Sequence, residues 1–488
     1  MKKRFRPHIH FSPPQHFMND PNGPIYIKDK YHIFFQHNPY GKEWGHMSWG
    51  HAVSQDLLHW KNLPIAISEQ DDVMIFSGST VNDIHNSSGF GSEVNPPLVA
   101  IYTGHHNKKQ HQTQNLAYSL DGGNSWIKYT GNPILDLSLE HFRDPKVFWF
   151  DPSQKWIMVV ALADQKKIRI YGSNNLKNWE YLSDFGPAGM SATLYWECPD
   201  LFELTVEDNI DIRRWILKVD IINHSISGGS GSQYFVGKFD GNSFINDNPP
   251  EKVFWVDHGK DFYAAQTFCN LPKDQNRTIW IGWMNNWEYA NLLPTHPWQG
   301  TMTLPRELSL VQDKNILKIQ QKPIAELRFV RQTVLTLTET KIQPNQALLV
   351  NFDLESLTFE IVAEFMIDTA STFGVNIRIG DTEFTQIGFD VKNNTLFLDR
   401  RHSGILDFHP EFPGKYCAPL NPLAEKRIKI RVISDISCVE VFGNEGEQVI
   451  SGLIFPESES NGIELFSEGG ITILLSLEIN RLDDLSHR

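Results

Sequence analysis

Three short segments of the chain bring acidic residues together with proline and with aromatic or charged neighbours. The first is Asn19-Asp20-Pro21-Asn22-Gly23, which precedes an alternating apolar run. The others are Arg143-Asp144-Pro145 and Trp196-Glu197-Cys198-Pro199-Asp200. Asn, Asp, Pro and Gly all favour turns, so each segment alone has the composition of an ordinary turn. Together they predict three acids in rigid turns, the first turn entering a strand, and these acids could form one site.

Two carboxyl groups that flank a bond are what glycoside hydrolysis needs, one as nucleophile or base and one as proton donor. Glu197 lies between Trp196 and Cys198, and we expect these less polar surroundings to raise its pKa, as suits a general acid. Asp20 lies in a polar turn whose backbone N–H groups can keep it ionised, as suits a nucleophile. Asp144 follows Arg143, and an ionised Asp beside a cation suits the binding of sugar hydroxyls. A structural Arg143–Asp144 ion pair is the alternative.

The elements that must position these acids are strands. Five short runs of β-branched and aromatic residues, bounded by turn formers, predict strands at residues 31–36, 98–102, 146–150, 156–160 and 278–282. Helical periodicity is almost absent. The chain is therefore predicted to be all-β.

A degenerate repeat joins a small residue, an Asp- or Asn-rich hairpin turn and a closing aromatic residue. It occurs at 54–60, 119–126, 173–179 and 237–244, so that its copies lie about 60 residues apart. This spacing fits four-stranded blades with long loops, and it predicts a five-bladed β-propeller over residues 1–320. Recurring hairpin turns in an unrelated β fold are the alternative. The innermost strands of a propeller meet at one pocket, which could bring Asp20, Asp144 and Glu197 together.

The pattern of apolar and polar residues changes beyond residue 310. Residues 321–334 are predicted to be a linker with at most one helical turn, and residues 335–488 alternate cleanly between apolar and polar, as at 357–367, 373–379 and 428–432. One buried and one solvated face is typical of antiparallel sheets packed in a β-sandwich. This domain contains no suggestive cluster of acids or histidines, so we predict an accessory role for it.

Composition excludes several classes of function. The formal net charge of −14, without a basic run, argues against nucleic acid or an anionic membrane as partner. No stretch approaches the roughly 20 apolar residues of a membrane span, and no apolar segment follows the basic start of the chain, so we expect a cytoplasmic protein. The four separated cysteines are expected to be free thiols. The histidines at 105, 106 and 111 lack the spacing of a closed metal site and are expected to lie in a solvated loop.

Several motifs together resemble the successive signatures of glycoside hydrolase family 32, the β-fructofuranosidases. They are His16-Phe-Met-Asn-Asp-Pro-Asn-Gly23, Phe76-Ser-Gly-Ser79, Phe142-Arg-Asp-Pro145, Trp196-Glu-Cys-Pro-Asp200, Phe397-Leu-Asp-Arg-Arg-His-Ser-Gly404 and Ser437-Cys-Val-Glu-Val-Phe442. Their order and spacing also agree, and they span nearly the whole chain.

The resemblance implies a five-bladed propeller that carries the active site, a following β-sandwich, and retention of configuration. It implies that Asp20 is the nucleophile, Glu197 the acid/base and Asp144 the residue that stabilises the transition state through fructose hydroxyls. Further residues are implied to line the fructose subsite, namely Asn19, Gln36, Trp44, Phe76, Ser77, Arg143 and Trp283. No metal and no organic cofactor are implied.

The substrate within this family is less sharply indicated. The segments around Trp283, Trp298 and Arg306 are more similar to exo-acting levanases, inulinases and invertases than to sucrose-6-phosphate hydrolases. Gln299 and Ser48 depart from the usual Arg and His at their positions, which leaves the leaving-group preference open. We therefore expect release of terminal β-D-fructosyl units from sucrose, fructo-oligosaccharides or fructans. A sucrose-6-phosphate hydrolase, a fructosyltransferase with the same intermediate and a non-catalytic sugar-binding propeller are the alternatives.

Overall fold

The computed structural model describes residues 4–207, 209–314, 316–344, 348–349 and 357–486. Residues 1–3 of the basic start of the chain lie outside the described residues. Each of the five predicted strand segments lies in a strand, apart from residue 278, which immediately precedes one. The helices in the described part of the chain are all short 3-10 helices. None of the described helices is long and apolar enough to cross a membrane.

The N-terminal half consists of five antiparallel blades, which confirms the predicted propeller. The first blade contains β1 (His16–Ile27), β2 (Lys30–Asn38), β3 (Ser48–Ser54) and β4 (Lys61–Ile67). The second contains β5 (Val73–Asn82), β6 (Leu98–His106), β7 (His111–Ser119), β8 (Ile127–Lys128) and β9 (Leu135–Leu139). The third contains β10 (Phe142–Phe150), β11 (Lys155–Leu162), β12 (Lys167–Ser173) and β13 (Glu180–Phe185).

The fourth blade contains β14 (Trp196–Val206), β15 (Asn209–Ile221), β16 (Gly231–Phe239), β17 (Phe244–Asn246) and β18 (Phe254–Trp255). The fifth contains β19 (Tyr263–Thr267), β20 (Ile279–Trp283), β22 (Arg306–Asp313) and β23 (Ile316–Pro323), while β21 (Trp298–Gln299) pairs in parallel with β1. The innermost strands β1, β5, β10, β14 and β19 contact one another in a closed ring. This ring creates the central site.

The repeated motif forms a hairpin turn, as predicted, and this turn joins the two outer strands of a blade. In its first three copies the serine is the last residue of a strand, and the closing tryptophan donates its indole N–H to the backbone carbonyl three residues earlier, at 3.0–3.1 Å. The Asp or Asn two residues after the serine accepts a backbone N–H of the turn. The repeat is thus one local structure shared by the first three blades.

The C-terminal half is a sandwich of two six-stranded sheets, as predicted. One sheet has the order β24 (Arg331–Ile342), β35 (Thr472–Leu482), β26 (Phe359–Ile367), β31 (Arg427–Ser434), β32 (Cys438–Gly443) and β33 (Gln448–Leu453). The other has the order β25 (Leu348–Leu349), β34 (Gly462–Glu468), β27 (Thr372–Ile379), β28 (Thr385–Asp390), β29 (Thr395–Asp399) and β30 (Lys415–Pro419). Their inner faces, with Ile361, Val375 and Leu398, share one core.

The two halves are joined by a 3-10 helix at Ala325–Val330. The predicted linker, 321–334, overlaps the end of β23 at Pro323 and the start of β24 at Arg331. Other 3-10 helices occur at Asp151–Ser153, Ala163–Gln165, Lys273–Gln275, Ala424–Lys426 and Asn444–Gly446.

Candidate active site

The three acidic segments lie within strands and not in turns, which corrects the prediction from composition. Each innermost strand carries a β-bulge in which two residues face one residue of the next strand, an arrangement that bends the strand and redirects its side chains. The five pairs are Asn19–Asp20 opposite Gln36, Phe76–Ser77 opposite Thr103, Asp144–Pro145 opposite Val160, Cys198–Pro199 opposite Val219, and Ala264–Ala265 opposite Gly282. The bulges therefore admit the turn-forming residues without ending the strands.

Asp20 is held by side chains and not by backbone N–H groups. Its carboxylate accepts hydrogen bonds from Ser77 Oγ at 2.7 Å, Asn19 Nδ2 at 3.0 Å and Cys198 Sγ at 3.4 Å. Burial raises the pKa of Asp20 above its usual value, the charge of Glu197 raises it further, and the three donors oppose the rise. The expectation of a carboxylate held ionised by its own turn was therefore wrong.

Glu197 is the partner of Arg143. The guanidinium donates from Nε to Glu197 Oε1 at 2.9 Å, and its Nη2 lies 2.9 Å from the same oxygen as an ion-pair contact, whereas its nearest nitrogen is 4.0 Å from Asp144 Oδ2. The Tyr263 hydroxyl donates to the other oxygen of Glu197. Burial and the charge of Glu197 raise the pKa of Tyr263 well above its usual value, so this hydroxyl keeps its proton. The carboxyl group of Glu197 thus contacts polar groups, although its neighbours in the sequence are less polar. The closest carboxylate to Arg143 is that of Glu197, and not that of Asp144, which was the alternative considered from the sequence.

Asp144 adopts a left-handed backbone conformation, with φ of 66°, which is uncommon outside glycine. Its N–H donates to Thr103 Oγ1 at 2.9 Å, and its Oδ2 accepts the N–H of Cys198 at 3.0 Å. Burial raises the pKa of Asp144 to about 7, with the guanidinium of Arg143 opposing this and the charge of Glu197 adding to it. Three mutually interacting carboxyl groups therefore share a small buried site.

A cavity of about 590 Å³ opens above these carboxyl groups. Nine of the ten residues expected to form the site line it, namely Asn19, Asp20, Gln36, Trp44, Phe76, Ser77, Arg143, Asp144 and Glu197. Trp283 does not. Its ring is fully buried behind Trp287, with centroids 4.9 Å apart, and Trp287 lines the cavity in its place.

Sequence reasoning also missed several lining residues. His105 stacks on Phe76 with ring centroids 4.8 Å apart, so the histidine cluster is partly in the site and not only in a solvated loop. Gln112 and His141 contact Arg143 Nη1 at 3.3 and 3.2 Å. Tyr195, which immediately precedes β14 and lies two residues before Glu197, carried a usable signal, because residues two apart in an extended chain point to the same side.

A metal site does not coincide with this cavity. Among the described residues, the group with ligand atoms close enough for a metal ion is His10, Asp435 and Cys438, at the contact between the two domains. There His10 Nδ1 lies 2.9 Å from Asp435 Oδ2 and Nε2 lies 2.9 Å from Glu440 Oε1. Both ring nitrogens are therefore occupied by carboxylates.

The chain is similar to known proteins over most of its length. Residues 10–323 match the family model described as "Glycosyl hydrolases family 32 N-terminal domain", and residues 326–481 match its C-terminal counterpart. A levanase from Bacillus subtilis is 46% identical over 483 residues, which cover 98% of this chain and 70% of the relative. An extracellular exo-inulinase from Aspergillus awamori is 39% identical over 511 aligned positions, covering 96% of this chain and 93% of the relative.

Solved structures are also similar. The crystal structure of exo-inulinase from Aspergillus awamori superposes with a TM-score of 0.94 at 36% identity, and the match covers 99% of both chains. A β-fructofuranosidase from Schwanniomyces occidentalis, complexed with fructosyl-erythritol, superposes with a TM-score of 0.90 at 34% identity, covering 98% of this chain and 97% of the other.

Proposed function

The chain belongs to glycoside hydrolase family 32, and from this premise we propose that it is a retaining exo-β-fructosidase. Its substrates are fructans, fructo-oligosaccharides and sucrose, from which it releases terminal β-D-fructosyl units. The observation that carries the proposal is the convergence of Asp20, Asp144 and Glu197 in one cavity, with Arg143 and Tyr263 fixed on Glu197.

The cavity is closed beneath the carboxyl groups. Further along the same inner strands, Lys146 Nζ contacts Asp200 Oδ2 at 3.2 Å and donates to the carbonyl oxygen of Thr267 at 2.8 Å. Lys146 and Asp200 are both buried. A sugar therefore reaches Asp20 and Glu197 from the open side of the cavity, and exo action is supported by the similarity to the exo-inulinase of Aspergillus awamori.

The reaction has two steps. Glu197 acts as an acid in the first step and as a base in the second, while Asp20 is first the nucleophile and then the leaving group. Asp20 attacks the anomeric carbon while Glu197 donates a proton to the departing glycosidic oxygen, which forms a fructosyl–enzyme ester. Glu197, now a carboxylate, takes a proton from water as that water attacks the same carbon and releases Asp20. Two inversions give net retention.

Asp144 and Arg143 support these steps in different ways. Asp144 faces the space above Asp20 and accepts hydrogen bonds from fructose hydroxyl groups. Because its pKa is raised to about 7 by burial, such donors also stabilise its ionised form when the sugar binds. Arg143 holds Glu197 in place through a hydrogen bond and an ion-pair contact to one oxygen, which leaves the other for Tyr263.

The cavity offers little support for sucrose 6-phosphate as the preferred substrate. Arg143 is the one arginine among its lining residues and is paired with Glu197, no lysine lines it, and Glu140 adds negative charge. Phosphate binding in proteins relies on free guanidinium or ammonium groups.

The test is the release of fructose and glucose from sucrose, sucrose 6-phosphate, inulin oligosaccharides, inulin and levan. We expect steady release of single fructose units from unphosphorylated substrates. Asp20→Asn should abolish it, whereas Asp274→Asn, at an exposed aspartate, should not, and this pair excludes a contaminating activity. Preference for the phosphorylated sugar would replace the proposal with a sucrose-6-phosphate hydrolase. A large excess of glucose over fructose from sucrose would indicate transfer to sugar.

A further inference from the structure

A short segment of the propeller, residues 257–261, lies against the sandwich and leads directly to the active site. It precedes β19, whose first residue, Tyr263, donates to Glu197. Both aspartates of the segment, Asp257 and Asp261, are buried. Contacts that hold this segment therefore also determine the position of Tyr263, the first residue of β19.

The segment is bound along β33, the edge strand of one sandwich sheet. The N–H groups of His258 and Asp261 donate to the carbonyl oxygens of Val449 and Ser451, at 2.8 and 3.4 Å. Asp257 accepts the Ser451 N–H at 2.9 Å and its hydroxyl at 2.7 Å.

Gly259 allows this close approach. A β-carbon at this position would lie 1.9 Å from the carbonyl oxygen of Ser451, a backbone atom that cannot move aside cheaply. The segment therefore needs glycine to remain seated on the edge strand.

Arg400 of the sandwich fixes the end of the segment nearest the active site. Its Nη1 donates to Asp261 Oδ2, which also accepts the N–H of Leu453 at 2.8 Å. Its Nη2 donates to the Tyr289 hydroxyl at 2.9 Å, and that hydroxyl donates to the other oxygen of Asp261. Asp261 thus has a complete set of partners, two of them from the sandwich.

We propose that Arg400 is a positioning residue for catalysis, which acts through Asp261 and Tyr263 to orient the carboxyl group of Glu197. The sandwich is then part of the catalytic scaffold. Its Phe397–Gly404 motif, whose Arg400 has no contact with the cavity, gains a specific role. This inference rests on the proposed function, because it requires Glu197 to be the proton donor.

The alternative is that these contacts only join the two domains. A second buried clamp provides the comparison: Asp435 of the sandwich accepts the N–H groups of His8, Ile9 and His10 at 2.8–3.2 Å. This clamp holds the N-terminal segment, which does not lead to Tyr263. Weakening it should change stability without changing how Glu197 is oriented.

The test compares sucrose with an aryl β-D-fructofuranoside that carries a nitrophenyl leaving group. A good leaving group needs little proton donation, so a misplaced Glu197 slows formation of the fructosyl–enzyme, which kcat/KM reports, more for sucrose than for the aryl substrate. Arg400→Lys keeps the charge beside Asp261 but loses the planar fork that reaches Tyr289 as well. We expect kcat/KM for sucrose to fall about tenfold and kcat/KM for the aryl substrate by less than about threefold, since small displacements of catalytic groups have effects of this order.

Gly259→Ala tests the same path without altering a charge, and it should shift the ratio of the two kcat/KM values in the same direction. Asp435→Asn is the matched control, and it should lower the melting temperature but leave the ratio unchanged. All assays are run well below each variant's melting temperature. An unchanged ratio in whichever of Arg400→Lys and Gly259→Ala folds would overturn the proposal.

A double-mutant cycle with Tyr263→Phe separates this path from others. If Arg400 acts through Tyr263, Arg400→Lys should no longer alter the ratio once the Tyr263 hydroxyl is absent. An undiminished effect in that background would contradict the proposal. Glu197→Ala must itself shift the ratio strongly, and if it does not, the assignment of Glu197 as the acid fails instead.

Discussion

Replacing Ser77 with alanine should move the acid limb of the pH profile towards higher pH. Ser77 Oγ donates to Asp20 Oδ2 at 2.7 Å in a buried site, and this hydrogen bond lowers the pKa of Asp20 against the rise that burial causes. The nucleophile reacts as a carboxylate. Losing the donor destabilises this charged form, so the pKa of Asp20 rises and more alkaline conditions are needed to ionise it.

The size of the shift follows from the strength of the hydrogen bond. A hydrogen bond to a charged group contributes about 1.5–3 kcal/mol, and one pKa unit corresponds to about 1.36 kcal/mol. The loss of the whole contribution would therefore shift the pKa by about 1–2 units. Asn19 Nδ2 and Cys198 Sγ remain as donors. We accordingly expect a shift near the lower limit, about one unit.

The assay is kcat/KM for fructose release from sucrose between about pH 3 and about pH 9, since this parameter reports ionisations of the free enzyme. Ser79→Ala is the matched control: Ser79 is a buried serine on the same strand, and it accepts the N–H of Val147 at 2.9 Å. It should lower stability without moving the limb. An acid limb that stays in place in Ser77→Ala, or moves equally in Ser79→Ala, would refute the reasoning.

Four further outcomes are expected. Glu197→Ala should lower kcat/KM on sucrose by about 10²–10⁴-fold, with a much smaller loss on an aryl fructoside, because kcat/KM reports formation of the fructosyl–enzyme and not its hydrolysis; equal losses in this parameter would contradict its role as the acid. Arg306→Met leaves the buried Asp257 and Glu440 without the guanidinium they share and should cost about 3–5 kcal/mol in urea unfolding; a change below about 1 kcal/mol would show that the ion pairs of Arg306 contribute little. Burial lowers the pKa of His32 to about 4 and that of His51 to about 3. As pH falls from about 6.5, only the unfolded chain therefore binds protons at these histidines, and the free energy of unfolding should fall by about 2 kcal/mol for each histidine between about pH 6.5 and about pH 5. The fall should be smaller in His51→Gln. Iodoacetamide should modify the exposed Cys417 before the buried thiols, with activity retained; mass spectrometry that found a buried cysteine alkylated first would contradict this.

The sequence predicted what depends on local pattern. Short strands, blade turns and alternating faces follow from the spacing of apolar, turn-forming and aromatic residues, and the structure confirms them. The three acids were recognisable because each lies in a distinctive motif.

The errors concern partners that are distant in the chain. The alternative of an Arg143–Asp144 ion pair considered only the sequence neighbour; the two side chains are 4.0 Å apart, and the closer partner of Arg143 is Glu197 on the adjacent inner strand, at 2.9 Å. Trp283 was expected to form part of the wall of the cavity. It ends β20 with its side chain buried, and Trp287, four residues later, lines the cavity instead. Such contacts arise only when the ring of strands closes.

The five bulges explain why the site residues occur as adjacent pairs. In a regular strand, successive side chains point to opposite faces, so neighbours in sequence cannot both face one cavity. Yet Asn19 and Asp20, and Phe76 and Ser77, which are the two bulged residues of their strands, all line it, and Arg143 lines it beside the bulged Asp144. A strand in which two adjacent residues are both functional therefore requires a bulge at that point. Asp144, in its left-handed conformation, shows the strain this geometry accepts in order to direct a carboxylate into the site.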